Sequence, residues 1–255
     1  MSNAFRHPIP RLEEGLRRLY CTLLPMLGVR QFPVLAQGAR FWVNNVDQID
    51  RYIGWNAMWE GMQLERLAAV ARARRFNAFL DIGANVGFYA VMAVAKQFAD
   101  QVIAFEPDPD NHARLVANVE ANGLGNIMRV FPYALGERAT RAALTRAPDD
   151  NRGESWLDHP DQPAGAPTIE VEERRFDDEF RYADKNLLIK MDVEGYEFRT
   201  LEGMRRTLCE NLCYLQVELY SERLAELKDL LARLDYRYLD TIEIDHYFTN
   251  IREIE

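Results

Sequence analysis

From residue 76 onward, short apolar runs of strand length alternate with longer stretches of helical period, a rhythm that predicts a mostly parallel sheet with helices on both faces. Residues 78–81 give a first strand. Residues 86–96, apolar nearly all round, give a buried helix. A second strand at 102–105 leads into a helix with clear punctuation: Asp108 as N-cap, Pro109 at the first helical position and Gly123 just past the end. Residues 127–131 form a third strand. Residues 187–191, apolar apart from Lys190, form a fourth that stops at Asp192. Phe198, Leu201, Met204 and Leu208 mark one helical stripe, 214–219 another strand, and Leu224, Leu227, Leu231 and Leu234 the last long helix. The tail, 236–251, has β character with Asp245 and His246 near a turn, so it reads as a closing antiparallel hairpin. The expected fold class is α/β.

The first 75 residues follow a different pattern. Residues 11–75 read as mainly helical, with Leu12, Leu16, Leu19 and Leu23 spaced to share one face. That face is expected to pack on the main domain, with a dimer or membrane contact as the alternative, and a homodimer stays open. Beyond Pro25 and Gly28 lie Phe41, Trp42, Asn44, Asn45, Tyr52, Trp55, Trp59 and Glu60, which suit either a core or a lid and acceptor wall. The chain thus divides into an extension, 1–75, and a main domain, 76–255. Within the latter, Pro148, Pro160, Pro163 and Pro167 predict an irregular excursion at 147–167 in which Trp156 could be an anchor.

Composition narrows the partners. The 255 residues carry a formal charge of −9, which disfavours a general nucleic-acid binder because phosphate neutralisation needs a basic face. The short cluster Arg72, Arg74, Arg75 reads as a solvated helix end. Three cysteines, Cys21, Cys209 and Cys213, make neither an even set nor a C-x-x-C pair, so neither a disulfide framework nor a cysteine zinc site is encoded. No apolar run approaches the roughly 20 residues of a membrane span, and a cytoplasmic protein is expected.

Chemistry concentrates at DIGANVG, residues 81–87, where the first strand turns into its helix. Gly83 and Gly87 permit bends and close backbone approach, and the following helix end favours an anionic group. A dinucleotide fingerprint would place its second glycine at Asn85, and Asp81 would repel a pyrophosphate. Asp81 suits instead the sulfonium and ammonium of S-adenosylmethionine (SAM). Glu106, closing the second strand, is placed to accept both ribose hydroxyls, a role that dinucleotide sites share.

Three segments, DIGANVGFYA (81–90), FEPDPDNHARLVANVEANGL (105–124) and IKMDVEGYEFRTLEGM (189–204), resemble the FkbM-type family of SAM-dependent methyltransferases. The third is the most specific, with Lys190, Asp192, Glu194, Gly195 and Glu197 at fixed offsets. The resemblance spans roughly residues 76–220. It implies a seven-stranded Rossmann-like sheet and methyl transfer, commonly to oxygen on small molecules or sugars. It further implies that Asp81, Gly83, Asn85 and Gly87 hold the methionine end and Glu106 the ribose. Phe105, Pro107, Tyr133 and Ala134 would lie near adenine, and Asp192 and Glu194 would face the sulfonium and the acceptor.

A hydroxyl acceptor must shed a proton, and the candidates for its base are Asp192, Glu194, Glu218 and His246. Asp192 is favoured for proximity; a lone His in a hairpin is more often structural. Lys190 suits an ion pair at the sheet edge. Asp192, Glu194, Glu197 and Glu218 could also offer oxygen ligands to a hard cation, but no third ligand is tied to the first two by sequence, so no metal is assigned. The expected function is O-methylation of a small hydroxylated acceptor, saccharides included. A NAD-linked oxidoreductase and a non-catalytic SAM-binding module are the alternatives.

Overall fold

The computed structural model describes residues 14–147, 155–157 and 166–253. Helix α1 (Glu14–Met26) is followed by a hairpin of β1 (Gln31–Ala36) and β2 (Ala39–Asn44), then α2 (Gln48–Asn56) and α3 (Gly61–Ala73). The main sheet begins with β3 (Ala78–Ile82), α4 (Phe88–Ala95), β4 (Gln101–Phe105), α5 (Pro109–Ala121) and β5 (Met128–Phe131). A smaller sheet is built from β6 (Ala134–Leu135), β7 (Thr140–Thr145), β8 (Trp156–Leu157) and β9 (Thr168–Arg174). After α6 (Phe176–Glu179) the chain resumes with β10 (Asn186–Met191), α7 (Glu197–Gly203), α8 (Arg205–Glu210) and β11 (Leu212–Glu218). It closes with α9 (Leu224–Ala232), β12 (Arg237–Ile242) and β13 (Asp245–Thr249).

The main sheet has seven strands in the order β12-β13-β11-β10-β3-β4-β5, parallel from β11 to β5 and antiparallel where the closing hairpin joins. Order reverses between β3 and β10, so a crevice opens at their carboxyl ends, where open α/β sheets place ligands. Strands β3 and β10 are buried on both faces, as their largely apolar runs require, with Asp81 and Lys190 the charged residues among them. The α5 cap is as expected: Asp108 accepts from the amides of Asp110 and Asn111 at 2.8 and 3.2 Å, with Pro109 at the first position.

Three expectations need correction. The segment 31–44 is a hairpin, not helix: Phe32, Val34, Ala36 and Ala39, Phe41, Val43 alternate inward about a two-residue turn with both Gln37 (φ 48°) and Gly38 (φ 89°) left-handed. The α1 leucines face outward, with Leu16, Leu19 and Leu23 about half exposed (55, 51 and 45%), while Cys21, Tyr20 and Leu24 face the core. Leu12 lies outside the described residues. Finally, the single stripe Phe198–Leu208 is two short helices broken at Met204; just before the break, Gly203 sits against the Gly136 backbone, where a Cβ would come within 1.9 Å of its carbonyl oxygen.

The small sheet went unanticipated, though Ile169 and Val171 already alternate with glutamates in β9. Of the excursion, Trp156 is half-buried in β8 and paired to β7; Pro148, Pro160 and Pro163 fall outside the described residues. The N-terminal unit shares the main core: the Phe41 and Phe88 rings lie 5.2 Å apart at a tilt of 31°, and the Trp42 amide donates to Asn118 Oδ1 at 2.8 Å. Arg75 pairs with Asp100, Arg74 with Glu253, and Arg72 lies 4.0 Å from Glu65, so the basic cluster is neutralised locally.

Candidate active site

The turn from β3 into α4 is held by three left-handed residues, Gly83 (φ 81°), Asn85 (φ 51°) and Gly87 (φ 82°). A Cβ at Gly83 would lie 1.7 Å from the Asp192 carbonyl oxygen, and one at Gly87 would lie 2.2 Å from Leu115 Cδ1. Gly83 therefore lets the turn close onto the end of β10. Gly87 serves the packing of α4 on α5, and among the turn residues it is its neighbours Asn85, Val86 and Phe88 that line the crevice. The amides of Gly83 and Ala84 donate to the Phe105 carbonyl, that of Gly87 to Ala84, and that of Asn85 to Glu106 Oε2 at 2.7 Å. These four donors are committed within the protein, so the turn shapes the crevice by its bends and side chains more than by those amides.

Asp81, Gly83, Asn85, Phe105, Glu106, Pro107, Tyr133, Ala134, Asp192, Glu194 and Glu218 all line one crevice. Glu106 is fixed at both oxygens, its Oε1 accepting from the Asp108 amide at 2.8 Å. Burial pushes its carboxyl up to about 8 against the pull of those two amides. Beside it Phe105 stacks on Phe131 at 5.4 Å and tilts against Tyr133 at 5.7 Å, making an aromatic flank. Leu135, Leu144 and Leu157 of the small sheet, with Ser155 just before β8, complete that end, and sequence reasoning did not place them there.

The opposite end is a nest of acids around one lysine. Lys190, buried, sets its Nζ 2.9 Å from Asp192 Oδ2 and 4.9 Å from the Tyr89 ring centroid. Burial works against its ammonium, yet Asp192, Glu60, Asp81 and Glu218 together hold it well above the usual lysine range. Asp81 is buried with neither oxygen at full hydrogen-bonding geometry to a donor, and burial raises its carboxyl to about 6 against Lys190 and the nearby Ala90 amide. Burial and then Asp192 push the Glu218 carboxyl up, with Lys190 opposing the rise. Asp192, Glu194 and Glu218 each bring an oxygen within 4.8 Å of the others, so of the candidate donors named from the sequence it is Glu218 that joins the first two in a set that could hold a hard cation. The same trio equally offers acceptors to hydroxyl groups.

Two expected residues stand apart. His246 is buried in β13 away from the crevice, with Nδ1 2.7 Å from Thr241 Oγ1 and Nε2 3.0 Å from the Leu219 carbonyl. Burial lowers its pKa, and its ring is a strut of the hairpin. Glu197 is buried beside the loop, Oε1 accepting from the Gly195 amide at 2.9 Å, and also does not line the crevice. Trp59 and Glu60, by contrast, reach the crevice from the N-terminal unit together with Gln48 and Ile49. Of the polar and aromatic stretch read as a lid or acceptor wall, Trp59 and Glu60 are the members that line it. Phe41 is core, and Trp55 is exposed.

The methyltransferase FkbM domain family matches residues 81–238. The hexuronic acid methyltransferase AglP of Haloferax volcanii is 26% identical over 219 residues, covering 84% of each chain. Among solved structures, the methyltransferase FkbM of Methylobacillus flagellatus KT is 20% identical with a TM-score of 0.47, covering 69% of this chain and 44% of that one. This chain thus spans under half the length of that protein. The human methyltransferase 10 domain-containing protein is 13% identical with a TM-score of 0.48, covering 93% and 95% of the two chains. With a family match over more than half of its length, and a crevice at the switch point of its sheet, the chain belongs to the FkbM family of methyltransferases.

Proposed function

We propose that this protein transfers the methyl group of SAM to a hydroxyl of a saccharide-like acceptor. The observation that carries the reading is the polarity of the crevice: Asp81, Asp192, Glu194, Glu218 and Glu60 face one region in which, among the described residues, Lys190 is the only cation of the lining. Such a region is completed by a positively charged ligand, and a pyrophosphate would meet it with repulsion. The buried, unsatisfied Asp81 carboxylate and the cradle that a Cβ at Gly83 would fill both fit the methionine end of SAM. Glu106 would hold the ribose, and Phe105, Pro107, Tyr133 and Ala134 would flank the adenine.

When bound, SAM supplies an electrophilic methyl carbon on a sulfonium. The chain's part is alignment of the acceptor oxygen with that carbon, and a place for the acceptor's proton. Asp192, fixed by Lys190, would orient the acceptor. Carboxylates accept hydrogen bonds from hydroxyls, so a polyol matches the chamber. The hexuronic acid methyltransferase of Haloferax volcanii supports a saccharide acceptor. An acceptor's own carboxylate would have to turn away from this acidic wall.

Calorimetry with SAM, S-adenosylhomocysteine and NAD tests the donor, and release of S-adenosylhomocysteine across a panel of neutral sugars and uronates tests the acceptor. Binding of the first two alone, with release in the presence of a sugar, supports the reading. Binding of NAD alone, or no release with any polyol, overturns it.

A further inference from the structure

Glu60 lies outside the nucleotide-binding sheet, yet it enters the crevice on the side of Asp192 and Glu218. It stands one residue before α3 in a left-handed conformation, φ 44° and ψ 58°. A non-glycine residue pays for that backbone, and such strain persists where the surrounding structure over-determines it. What determines it here is visible: Tyr89 Oη on α4 donates to Glu60 Oε2 at 2.7 Å, and Tyr89 itself is buried beneath the Lys190 ammonium. The turn and the tyrosine thus point a carboxylate of the N-terminal unit at the acidic end of the chamber.

Two of the other candidates for proton acceptor are engaged by their neighbours. Asp192 already spends an oxygen on Lys190, and His246 is bonded at both ring nitrogens away from the crevice. We infer that Glu60 is the general base of the reaction, accepting the proton of the acceptor hydroxyl, an assignment that rests on the methyl-transfer reading above. In the step, the hydroxyl O–H bond breaks toward a Glu60 oxygen as the acceptor oxygen forms a bond to the methyl carbon. The sulfur–methyl bond breaks with its electron pair kept by sulfur, giving a neutral thioether, and the protonated Glu60 later returns its proton to water.

The groups facing Glu60 are Tyr89 from α4, Lys190 and Asp192 at the end of β10, Glu218 from β11, and Asp245 and Tyr247 from β13. Burial raises the Glu60 carboxyl to about 7, with Asp245 and Asp192 adding to the rise and Lys190 and the Tyr89 hydroxyl opposing it. A base with that value is half ionised near neutrality, where proton transfer is most effective.

The test is steady-state kinetics of Glu60→Gln from pH 5.5 to 9 alongside SAM calorimetry, with S-adenosylhomocysteine release by the wild-type enzyme established first. The expected result is a fall in kcat of about 10² to 10⁴-fold, SAM affinity within about threefold, and loss of the acid limb near pH 7. Tyr89→Phe keeps the carboxylate but removes its hydrogen-bond donor, so it should move the acid limb to higher pH, which a merely structural role would not do. Wild-type-like kcat in Glu60→Gln, an acid limb unmoved in Tyr89→Phe, or a loss of turnover matched by a loss of SAM binding would each overturn the assignment. If the wild-type enzyme itself releases no product, this assignment and the methyl-transfer reading fall together; if only Glu60→Gln behaves as wild type, the assignment alone falls.

Discussion

Gly83 faces the backbone of Asp192 so closely that a single added methyl group would occupy the space of the Asp192 carbonyl oxygen, 1.7 Å from the ideal Cβ position. The Asp192 amide in turn donates to the Ile82 carbonyl at 3.0 Å, so the ends of β3 and β10 are locked together at the floor of the crevice. Gly83→Ala must both move backbone and hold alanine at φ 81°. We expect a loss of about 3 kcal/mol or more in stability, read as a lower urea midpoint, together with weakened SAM binding. An unchanged midpoint would show that the two strand ends are not in fact so tightly closed.

Glu106 is held by two backbone amides and pushed up to about 8 by burial. Ribose hydroxyls would donate to its ionised form, so binding should release a proton. Affinity for SAM should therefore rise as pH increases from 6 and level off above about 8. Calorimetry in buffers of different ionisation enthalpy would detect the proton. Glu106→Ala removes a charge-assisted hydrogen bond of about 1.5 to 3 kcal/mol and should weaken SAM binding about tenfold to a hundredfold. Unchanged affinity would remove Glu106 from the ribose site.

Lys190 is the buried counter-charge for several carboxylates, so Lys190→Met should cost about 3 to 5 kcal/mol by leaving them unpaired. Asp192→Asn alone should depress turnover far more than SAM affinity. The double variant should be more stable than Lys190→Met alone, measured by thermal melting at pH 7. A double variant no more stable than the single one would show that the pair is not coupled.

His246 braces the closing hairpin. Replacing it with Gln should leave kcat within about threefold while costing about 1 to 2 kcal/mol from two altered hydrogen bonds. Its pKa is depressed by burial, so its contribution to stability is full above about 6.5 and is lost as pH falls toward the lower folded value. The wild-type melting temperature should drop more between pH 7 and 5 than that of His246→Gln. A large fall in kcat in the variant would return His246 to the list of catalytic groups.

What the sequence determined by itself was whatever is governed by local period and short range. The α/β alternation, the Asp108–Pro109 helix start, the closing hairpin and the clustering of Asp81, Glu106 and Asp192 at strand ends all follow from spacings of a few residues, because strand ends in a parallel sheet share one edge. The hairpin at 31–44 is legible too, in its alternation and its Gln37–Gly38 turn, although the helical spacing of the leucines before it points to helix. Tertiary structure alone decided which carboxylates share Lys190, that His246 is spent on Thr241 and Leu219, and that Glu60 crosses from the N-terminal unit to meet Tyr89, 29 residues on. Those relationships depend on how separate elements dock, and burial of a charged group is a property of that docking, which no pattern along the chain encodes.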